Sequence, residues 1–221
     1  MKSPPESEEA LLVGARMLAG RRLGELAAQL GVPLPANSRA AKGWTGQLIE
    51  RALGADAGNL PLPDFQLLGV ELKTIPVDNQ GRPQESTYVC RAPGAPQPGS
   101  EWEASTVRIK LRRVLWLPIE AATGATMSTR RLGWAFLWSP SPKAEKILRE
   151  DWEELHDLLC LGQHASISAR LGTYLQLRPK GADARETGKG FDEEGAAARV
   201  PPMGFYLRAA FTRLVLAESL A

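Results

Sequence analysis

The chain has 221 residues, of which 43% are hydrophobic and 24% charged, a composition typical of a globular protein with a substantial core. Its net charge of +2 is too small to indicate a nucleic-acid partner by itself, because such binding depends on where the charge lies. No apolar run is long enough to cross a membrane, and the start is acidic where a signal peptide would be basic. We therefore expect a cytoplasmic protein with no membrane partner.

Cysteine and histidine are too few to suggest a common transition-metal site. Cys90 and Cys160 lie far apart with no metal-binding spacing, which is typical of reduced thiols in a cytosolic protein. Only His156 and His164 offer imidazole ligands, so a zinc or iron centre built on histidine is not expected. A metal would need carboxylate ligands, and these favour magnesium-like ions.

Three helices are predicted in the first third of the chain. SPPESEEALLVGARMLAG has prolines and glutamates at its start and Gly20 at its end, which are the usual helix boundary signals. RLGELAAQLG predicts a shorter helix that ends at Gly31, and GWTGQLIERALG predicts an amphipathic helix before Gly54. Glu50 lies opposite the apolar face of this third helix, which favours a solvent-exposed residue, although that side could also face a cleft.

The middle third has the two-residue period of strands. DFQLLGVELKTIP, the polar turn DNQGRP and ESTYVCRA together predict a hairpin, and the Pro- and Gly-rich APGAPQPGSE predicts a hinge between two lobes. STVRIKLRRVLWLPI predicts one long strand. RRLGWAFLWS predicts another strand, whose residues on one side would be Leu132, Trp134, Phe136 and Trp138.

The last third mixes both kinds of element. SPSPKAEKILREDWEELHDLLCLG predicts a long helix capped by Ser141, with an acidic run that faces solvent. A short helix and the strand TYLQLRPK follow, and GADARETGKGFDEEGAAAR is expected to be a mobile loop. GFYLRAAFTRLVLAESL predicts a strand and a final helix. The mixture predicts an α/β or α+β fold around a mixed sheet.

Charged residues interrupt the predicted strand GVELKTIP. Because side chains alternate along a strand, Glu71 and Lys73 point the same way, while Val70 and Leu72 enter the core. The sequence alone leaves open a surface Glu–Lys pair on an edge strand, worth at most about 1 kcal/mol.

The other interpretation of this stretch is a metal site. Gly69 allows a bulge, and a bend could return Asp64 to the end of the sheet where Glu71 lies. Two close carboxylates are unfavourable unless a cation neutralises them, and a divalent, oxygen-preferring metal does so. Such a metal beside Lys73 would suit the hydrolysis of a phosphodiester.

Basic residues follow in STVRIKLRRVLW. The predicted strand places Arg108, Lys110 and Arg112 on one face, where a row of cations could follow a phosphate backbone. The alternative is a solvated strand edge protected by charge.

A second basic group ends the predicted strand LQLRPKG. Arg178 and Lys180 flank Pro179, either in an ordinary basic turn or in a base-reading site, since arginine can bond guanine O6 and N7 in the major groove. Tyr88 and Tyr206 lie near strand ends, and either contact a base or methyl group or pack in the core.

Taken in order, these segments resemble the MutH family of methyl-directed mismatch-repair endonucleases, within the PD-(D/E)xK restriction-enzyme-like superfamily. The resemblance extends over nearly the whole chain. The segments that carry it are KGWTGQLIERALGA, PDFQLLGVELKTIPVD, GRPQESTYVC, VRIKLRRVLWLPIE, LREDWEELHDLLCLGQ, YLQLRPK and GFYLRAAFT.

The resemblance implies a restriction-endonuclease-like α/β fold, with a mixed sheet flanked by helices and two lobes that form a DNA-binding cleft. The expected lobes are residues 1–100, which carry the metal site, and residues 101–221, which carry the basic strand and the recognition loops. It implies an enzyme that requires Mg²⁺ and nicks the unmethylated strand of double-stranded DNA at hemimethylated GATC, 5′ to the G. It further implies a monomer that MutL activates after MutS has found a mismatch.

The resemblance also implies roles for residues of the active site. Asp64 and Glu71 match the metal-binding acids, with the Leu72 carbonyl as a third ligand, and Lys73 matches the catalytic lysine. Glu50 matches a further active-site acid, which overrides its interpretation as a solvent-exposed residue.

Other matches fall on residues that contact DNA or reach the site from the second lobe. Lys110 matches a catalytic lysine contributed by that lobe, and Tyr206 matches a position linked to sensing adenine methylation. Arg108 and Arg112 are expected phosphate contacts because of the basic pattern. The positions that match DNA contacts are Lys42, Tyr88, Arg178, Pro179, Lys180 and Tyr206.

Two other functions remain compatible with the sequence. One is a GATC-specific restriction endonuclease that makes double-strand breaks. The other is a methylation-sensitive DNA-binding protein that does not cleave, and the complete set of Asp64, Glu71 and Lys73 argues against it.

Overall fold

The computed structural model of the chain describes residues 2–37, 41, 43–58, 60–121, 124–168, 170–180 and 186–218. Packing divides the chain into two compact units. The first unit contains Met1–Glu85, Arg112–Ser139 and Ala217–Ala221, and the second contains Ser86–Leu111 and Pro140–Leu216. This grouping differs from the predicted division at residue 100, because segments on both sides of residue 100 alternate between the units.

Helices and strands are both present, as the sequence predicted. The helices are α1 (Glu8–Arg16), α2 (Leu23–Leu30), α3 (Trp44–Leu53), α4 (Thr106–Leu111), α5 (Pro142–Cys160) and α6 (Ala209–Glu218). The strands are β1 (Glu71–Val77), β2 (Thr87–Arg91), β3 (Val114–Glu120), β4 (Phe136–Trp138), β5 (Leu175–Pro179), β6 (Gly188–Phe191), β7 (Ala197–Val200) and β8 (Met203–Leu207). Within the described ranges, none of the helices is both long and apolar enough to span a bilayer.

The helices of the first unit follow their local sequence signals. The Ser7 hydroxyl accepts a hydrogen bond from the Ala10 N–H at 3.1 Å, which satisfies a free donor in the first turn of α1. Glu8 and Glu9 place negative charge at the positive end of the same helix. The third helix, α3, buries an apolar stripe made of Trp44, Leu48, Ile49 and Leu53.

The sheet of the first unit has the order β1-β3-β4. Strand β3 pairs in parallel with β1 and antiparallel with β4, so the sheet is mixed. Strand β1 lies at the edge of this sheet. The N–H and carbonyl groups of every second residue of β1 therefore point away from β3. One face of the sheet packs against α1, α2 and α3, and that face carries Val70, Leu72, Leu115, Leu117 and Ile119.

The second unit has its own antiparallel sheet, with the order β2-β8-β5. Helix α5 packs against β5. One face of the sheet belongs to the core, where Leu175, Leu177, Phe205 and Leu207 are buried. Because side chains alternate along strands, the residues between these four lie on the opposite face. The single mixed sheet expected from the sequence is therefore replaced by several small sheets.

The predicted hairpin between β1 and β2 is wrong. The polar turn does form, since Val77 and Pro83 make an isolated antiparallel bridge. Strand β2 then leaves and pairs with β8 in the second unit, while β1 pairs with β3.

The predicted long strand from Ser105 to Ile119 is also wrong in its first half. Thr106–Leu111 form the helix α4, and the Ser105 hydroxyl accepts a hydrogen bond from the Arg108 N–H at 3.1 Å. The strand begins only at Val114. Arg108, Lys110 and Arg112 therefore do not form a row on one strand face.

A third difference concerns the strand predicted over residues 130–139. Only Phe136–Trp138 form a strand. Leu132 is 1% exposed and Trp134 is 61% exposed, so these side chains do not share a buried face. Gly133 lies between them outside the strand, and its backbone approaches Pro118 so closely that little room is left for a side chain.

The segment expected to be a mobile loop contains a hairpin instead. Strands β6 and β7 pair antiparallel, and the Asp192 carboxylate accepts a hydrogen bond from the Ala196 N–H at 2.7 Å across the turn. A side-chain oxygen thus closes a turn in a segment with little apolar content. Residues 181–185 of the same segment lie outside the described residues.

The acidic run of α5 does not lie wholly in solvent. Asp151 is 5% exposed. Its carboxylate accepts hydrogen bonds from the N–H groups of Thr173, Tyr174 and Leu175 at 2.6, 2.6 and 2.8 Å. Asp151 therefore fixes the start of β5 against α5, which the expectation of a solvated face missed.

Replacing Asp151 by alanine should lower the free energy of unfolding by about 3 kcal/mol, because three backbone donors lose a charged acceptor. Equilibrium urea unfolding measures this loss. The matched control is Glu154→Ala, at an exposed position of the same helix, which should cost less than about 0.5 kcal/mol. Equal losses in the two variants would contradict the prediction.

His156 predicts a pH dependence of stability. Its ring is buried and stacks on Trp152 with the centroids 4.6 Å apart, and this burial lowers its pKa although the charge of Asp157 acts in the opposite direction. The unfolded chain then takes up a proton at a higher pH than the folded chain. Stability should be complete above about pH 6.5 and should fall as the pH drops below that value.

Urea unfolding of the wild type and of His156→Phe between about pH 5 and pH 8 tests this expectation. The substitution should flatten the profile. A profile that His156→Phe does not change would contradict the assignment.

Candidate active site

Strand β1 brings Glu71 and Lys73 together, as its alternation predicted. The Lys73 Nζ lies 2.5 Å from the Glu71 Oε1. Glu71 is 3% exposed and Lys73 is 8% exposed, so this is a buried ion pair. An exposed edge-strand pair, which the sequence left open, does not describe it. Such burial is costly for both charges, and it is rarely found without a structural or chemical reason.

A tight bend returns Asp64 to the start of β1. Phe65 and Val70 form an antiparallel bridge, and Gly69 completes the bend with a φ of 64°. This left-handed conformation favours glycine, and an added Cβ would lie 2.8 Å from the Arg112 Nη2. The Asp64 Oδ2 then accepts a hydrogen bond from the Leu72 N–H at 2.8 Å.

This bond brings Asp64 next to Leu72, so three residues near the start of β1 offer oxygen atoms that could bind a metal. The Glu71 N–H donates to the Arg113 carbonyl on the side of β3, at 3.0 Å, so the Leu72 backbone faces the other edge. On an extended residue the N–H and the carbonyl point to the same edge, and the Leu72 carbonyl therefore lies on the edge where Asp64 lies. Two carboxylates and one carbonyl are ligands of the kind that magnesium prefers.

The described residues contain no group of three or more His, Cys, Asp or Glu side chains that could hold a metal without backbone help. A metal at the start of β1 would thus depend on two carboxylates and a backbone carbonyl, with water in its remaining positions. Magnesium tolerates such a shell, because it commonly keeps several waters. The donor set therefore fits the ion that the sequence predicted.

Glu50 is half-buried on α3, one turn before the helix ends. Its side chain lies over Gly46, and it lines a depression together with Gln47, Arg51, Ala55 and Gly58. The loop after α3 is tied to Asp64, whose carbonyl accepts hydrogen bonds from the N–H groups of residues 56 and 57. The helix of Glu50 and the bend of Asp64 are thus connected through a few backbone hydrogen bonds.

A second cluster lies in the second unit, on the face of its sheet opposite the core. Tyr88 and Tyr206 occupy paired positions of β2 and β8, and their rings meet edge to face at 5.3 Å between centroids. The Lys180 Nζ lies 3.4 Å from the centroid of the Tyr88 ring, and the Arg178 guanidinium lies 5.8 Å from that of Tyr206. Four of the predicted DNA-binding residues are therefore neighbours.

The remaining predicted residues are placed separately. Pro179 is exposed at the end of β5, and Lys110 is half-buried on α4 in the second unit. Arg112 is exposed and belongs to the first unit. Lys42 lies outside the described residues.

Arg108 has a structural partner that the sequence analysis missed. Its Nε donates to the Glu145 Oε1 at 2.8 Å, and the Trp102 indole N–H donates to the same oxygen at 3.0 Å. This ion pair joins α4 to α5. It offers a reason for the charge of Arg108 other than a phosphate contact.

Comparison with known proteins agrees with the resemblance seen in the sequence. The family model described as DNA mismatch repair enzyme MutH matches residues 53–151. The DNA mismatch repair protein MutH of Klebsiella pneumoniae is 50% identical over 218 residues, which cover 99% of this chain and 94% of the relative. The proteins of the same name from Escherichia coli K12 and Shewanella amazonensis are 51% and 49% identical over 98% of this chain, and the matches cover 94% and 96% of those relatives.

A double-mutant cycle should reveal strong coupling between Glu71 and Lys73. The free energies of unfolding of Glu71→Gln, Lys73→Met and the double variant, measured in urea with EDTA, should give a coupling energy of at least about 1 kcal/mol. Removing only one partner leaves a buried charge without the opposite charge beside it, whereas the double variant is neutral at both positions.

The matched control is the pair Lys146 and Glu150, which is exposed on α5 at 3.7 Å. Its coupling should stay below about 0.5 kcal/mol, as is usual for exposed pairs one helical turn apart. Equal coupling in the two cycles would mean that burial does not strengthen the ion pair of β1.

Proposed function

The chain belongs to the MutH family of DNA mismatch repair enzymes, and from this premise we propose that it is a magnesium-dependent endonuclease. The proposed reaction is a nick in the unmethylated strand of hemimethylated GATC, 5′ to the G. A restriction-endonuclease-like fold is part of the proposal. The observation that carries it is the buried Glu71–Lys73 ion pair beside Asp64, which bonds the next backbone N–H of the strand.

The residues at the start of β1 divide the chemistry between them. Mg²⁺ held by the Asp64 and Glu71 carboxylates and the Leu72 carbonyl would polarise a phosphate oxygen and make a bound water a better nucleophile. Lys73 contributes a fixed positive charge that stabilises the negative charge developing on the phosphate in the transition state. Its ion pair with Glu71 holds the ammonium group in place before the substrate arrives, so little reorganisation is needed during the reaction.

Glu50 is proposed as the further acid of this site. It is half-buried on the helix whose following loop is tied to Asp64, and in this proposal its carboxylate adds negative charge to the metal site. Such charge favours binding of a divalent cation and orients its waters. Lys110 of the second unit is proposed as a further catalytic cation.

We assign base recognition to the second unit, and the proposed DNA contacts draw on residues of both units. Arg178 presents a planar guanidinium that can bond guanine O6 and N7, and Lys180 adds a positive charge near the same face. Tyr206 offers an aromatic ring to an adenine methyl group. Lys42, Arg108, Arg112, Tyr88 and Pro179 complete the proposed set of contacts with DNA.

The proposal extends to partners. We propose a monomer that works in the cytoplasm, where bacterial DNA lies, and that MutL activates after MutS has found a mismatch. A monomer has one active site, which suits a nick in one strand better than a double-strand break.

Glu71→Ala should lower the rate of nicking of hemimethylated GATC plasmid by about a hundredfold or more, because a metal ligand is lost. DNA affinity at constant salt should change little, since no phosphate contact is removed. Gel separation of nicked plasmid and a binding assay measure the two properties. Glu9→Ala, an exposed acid of the same unit, is the control and should match the wild type.

The same assay separates the competing functions. If the products of unmethylated and hemimethylated GATC plasmids are both linear, the enzyme makes double-strand breaks, and a restriction enzyme is favoured. Binding without any nicking in Mg²⁺, with and without MutL, would favour a protein that does not cleave. A wild-type nicking rate in Glu71→Ala would contradict the proposed site itself.

A further inference from the structure

The sheet of the second unit presents a polar and aromatic face. Gln176 and Arg178 are two residues apart on β5, so their side chains lie on the same face. Gln176 is paired with Tyr206 in the antiparallel register of β5 and β8, and Tyr206 is paired with Tyr88 of β2. Three strands therefore place these four side chains side by side.

Arg178 is held by two contacts on this face. Its Nη1 lies 3.4 Å from the Ser86 hydroxyl oxygen, which accepts the hydrogen bond. Its guanidinium lies over the Tyr206 ring, 5.8 Å from the centroid. An exposed arginine has many rotamers, so two contacts of this kind restrict where its planar group can lie.

Ser86 is itself fixed from the other side. Its hydroxyl oxygen accepts a hydrogen bond from the Gln176 Nε2 at 2.8 Å. Gln176 is 5% exposed, so its amide is held in place by the surrounding side chains. The hydroxyl thus links a buried amide, which cannot move freely, to the exposed guanidinium.

Gly204 makes room for the aromatic part of the same arrangement. A Cβ at this position would lie 3.1 Å from Tyr88 Cε2 and 3.2 Å from Tyr206 Cε2, which is closer than such atoms normally approach. The absence of a side chain lets both rings lie against β8. The Tyr206 ring then stays under the guanidinium of Arg178.

We propose that Ser86 is a positioning residue for Arg178, held in place by Gln176, and that it sets the sequence specificity of the enzyme. The inference rests on the proposed function, because it assigns Arg178 to the recognition of a base. A pre-positioned guanidinium meets both acceptors of a guanine in one orientation, and a base without that pair of acceptors leaves it unsatisfied. Losing the hydroxyl should therefore affect discrimination between bases more than it affects binding to phosphate.

The test compares nicking of GATC with nicking of the same site in which the guanine is replaced by adenine. In Ser86→Ala the ratio of the two kcat/KM values should fall about fivefold or more, and in Gln176→Leu it should fall in the same direction. Ser86→Thr keeps the hydroxyl and should restore the ratio to within about twofold of the wild type. Arg178→Ala gives the full loss of discrimination for reference.

A merely structural role would give a different result. Ser100→Ala removes an exposed hydroxyl that donates to the nearby Gln97 carbonyl, and it should leave the ratio unchanged. Urea unfolding of every variant identifies any loss of discrimination that comes from a less stable fold. Suppose that the wild type discriminates between the two sites. If Ser86→Ala then lowers stability, or lowers cleavage of both sites equally, the inference is overturned and the proposed function stands. If the wild type itself does not nick GATC selectively, the inference and the proposed function are both contradicted.

Discussion

The burial of Glu71 is the constraint on which the first unit depends. A carboxylate removed from water needs a partner of opposite charge or several hydrogen bonds, because its desolvation is otherwise too costly. Strand alternation supplies Lys73 on the same face, and the Gly69 bend brings a second carboxylate to the next residue. The arrangement brings the two carboxylates and the ammonium group to the start of one strand.

The second unit meets the same constraint by other means. Asp151 is buried without a cation among its described partners, and three backbone N–H groups take the place of a counter-charge. Its role is to hold a strand and a helix together, and both of its carboxylate oxygens accept hydrogen bonds in doing so. Glu71 differs because it pairs with a charged side chain, Lys73, which we propose also acts on the substrate. The contrast separates a carboxylate that fixes the fold from one that is available for chemistry.

Local rules predicted the parts of the molecule that are decided locally. Helix caps such as Ser7 and the alternation that pairs Glu71 with Lys73 could be read from adjacent residues. The wrong predictions concern competition between distant partners: β2 pairs with β8 rather than β1, and Thr106–Leu111 form a helix although their alternation favours a strand. Within the candidate site, the bend that returns Asp64 was anticipated, but its bond to the backbone N–H of Leu72 depends on three-dimensional closure and leaves no sequence signal.

The path of the chain between the two units has a consequence for synthesis. The chain passes from one unit to the other after residues 85, 111, 139 and 216, so neither unit is encoded by one continuous segment. A ribosome delivers β1 long before β3, and β1 has no sheet partner of its own until the chain has grown past Glu120. The burial of the acids and the lysine of the candidate site therefore cannot be completed until more than half of the chain has been synthesised.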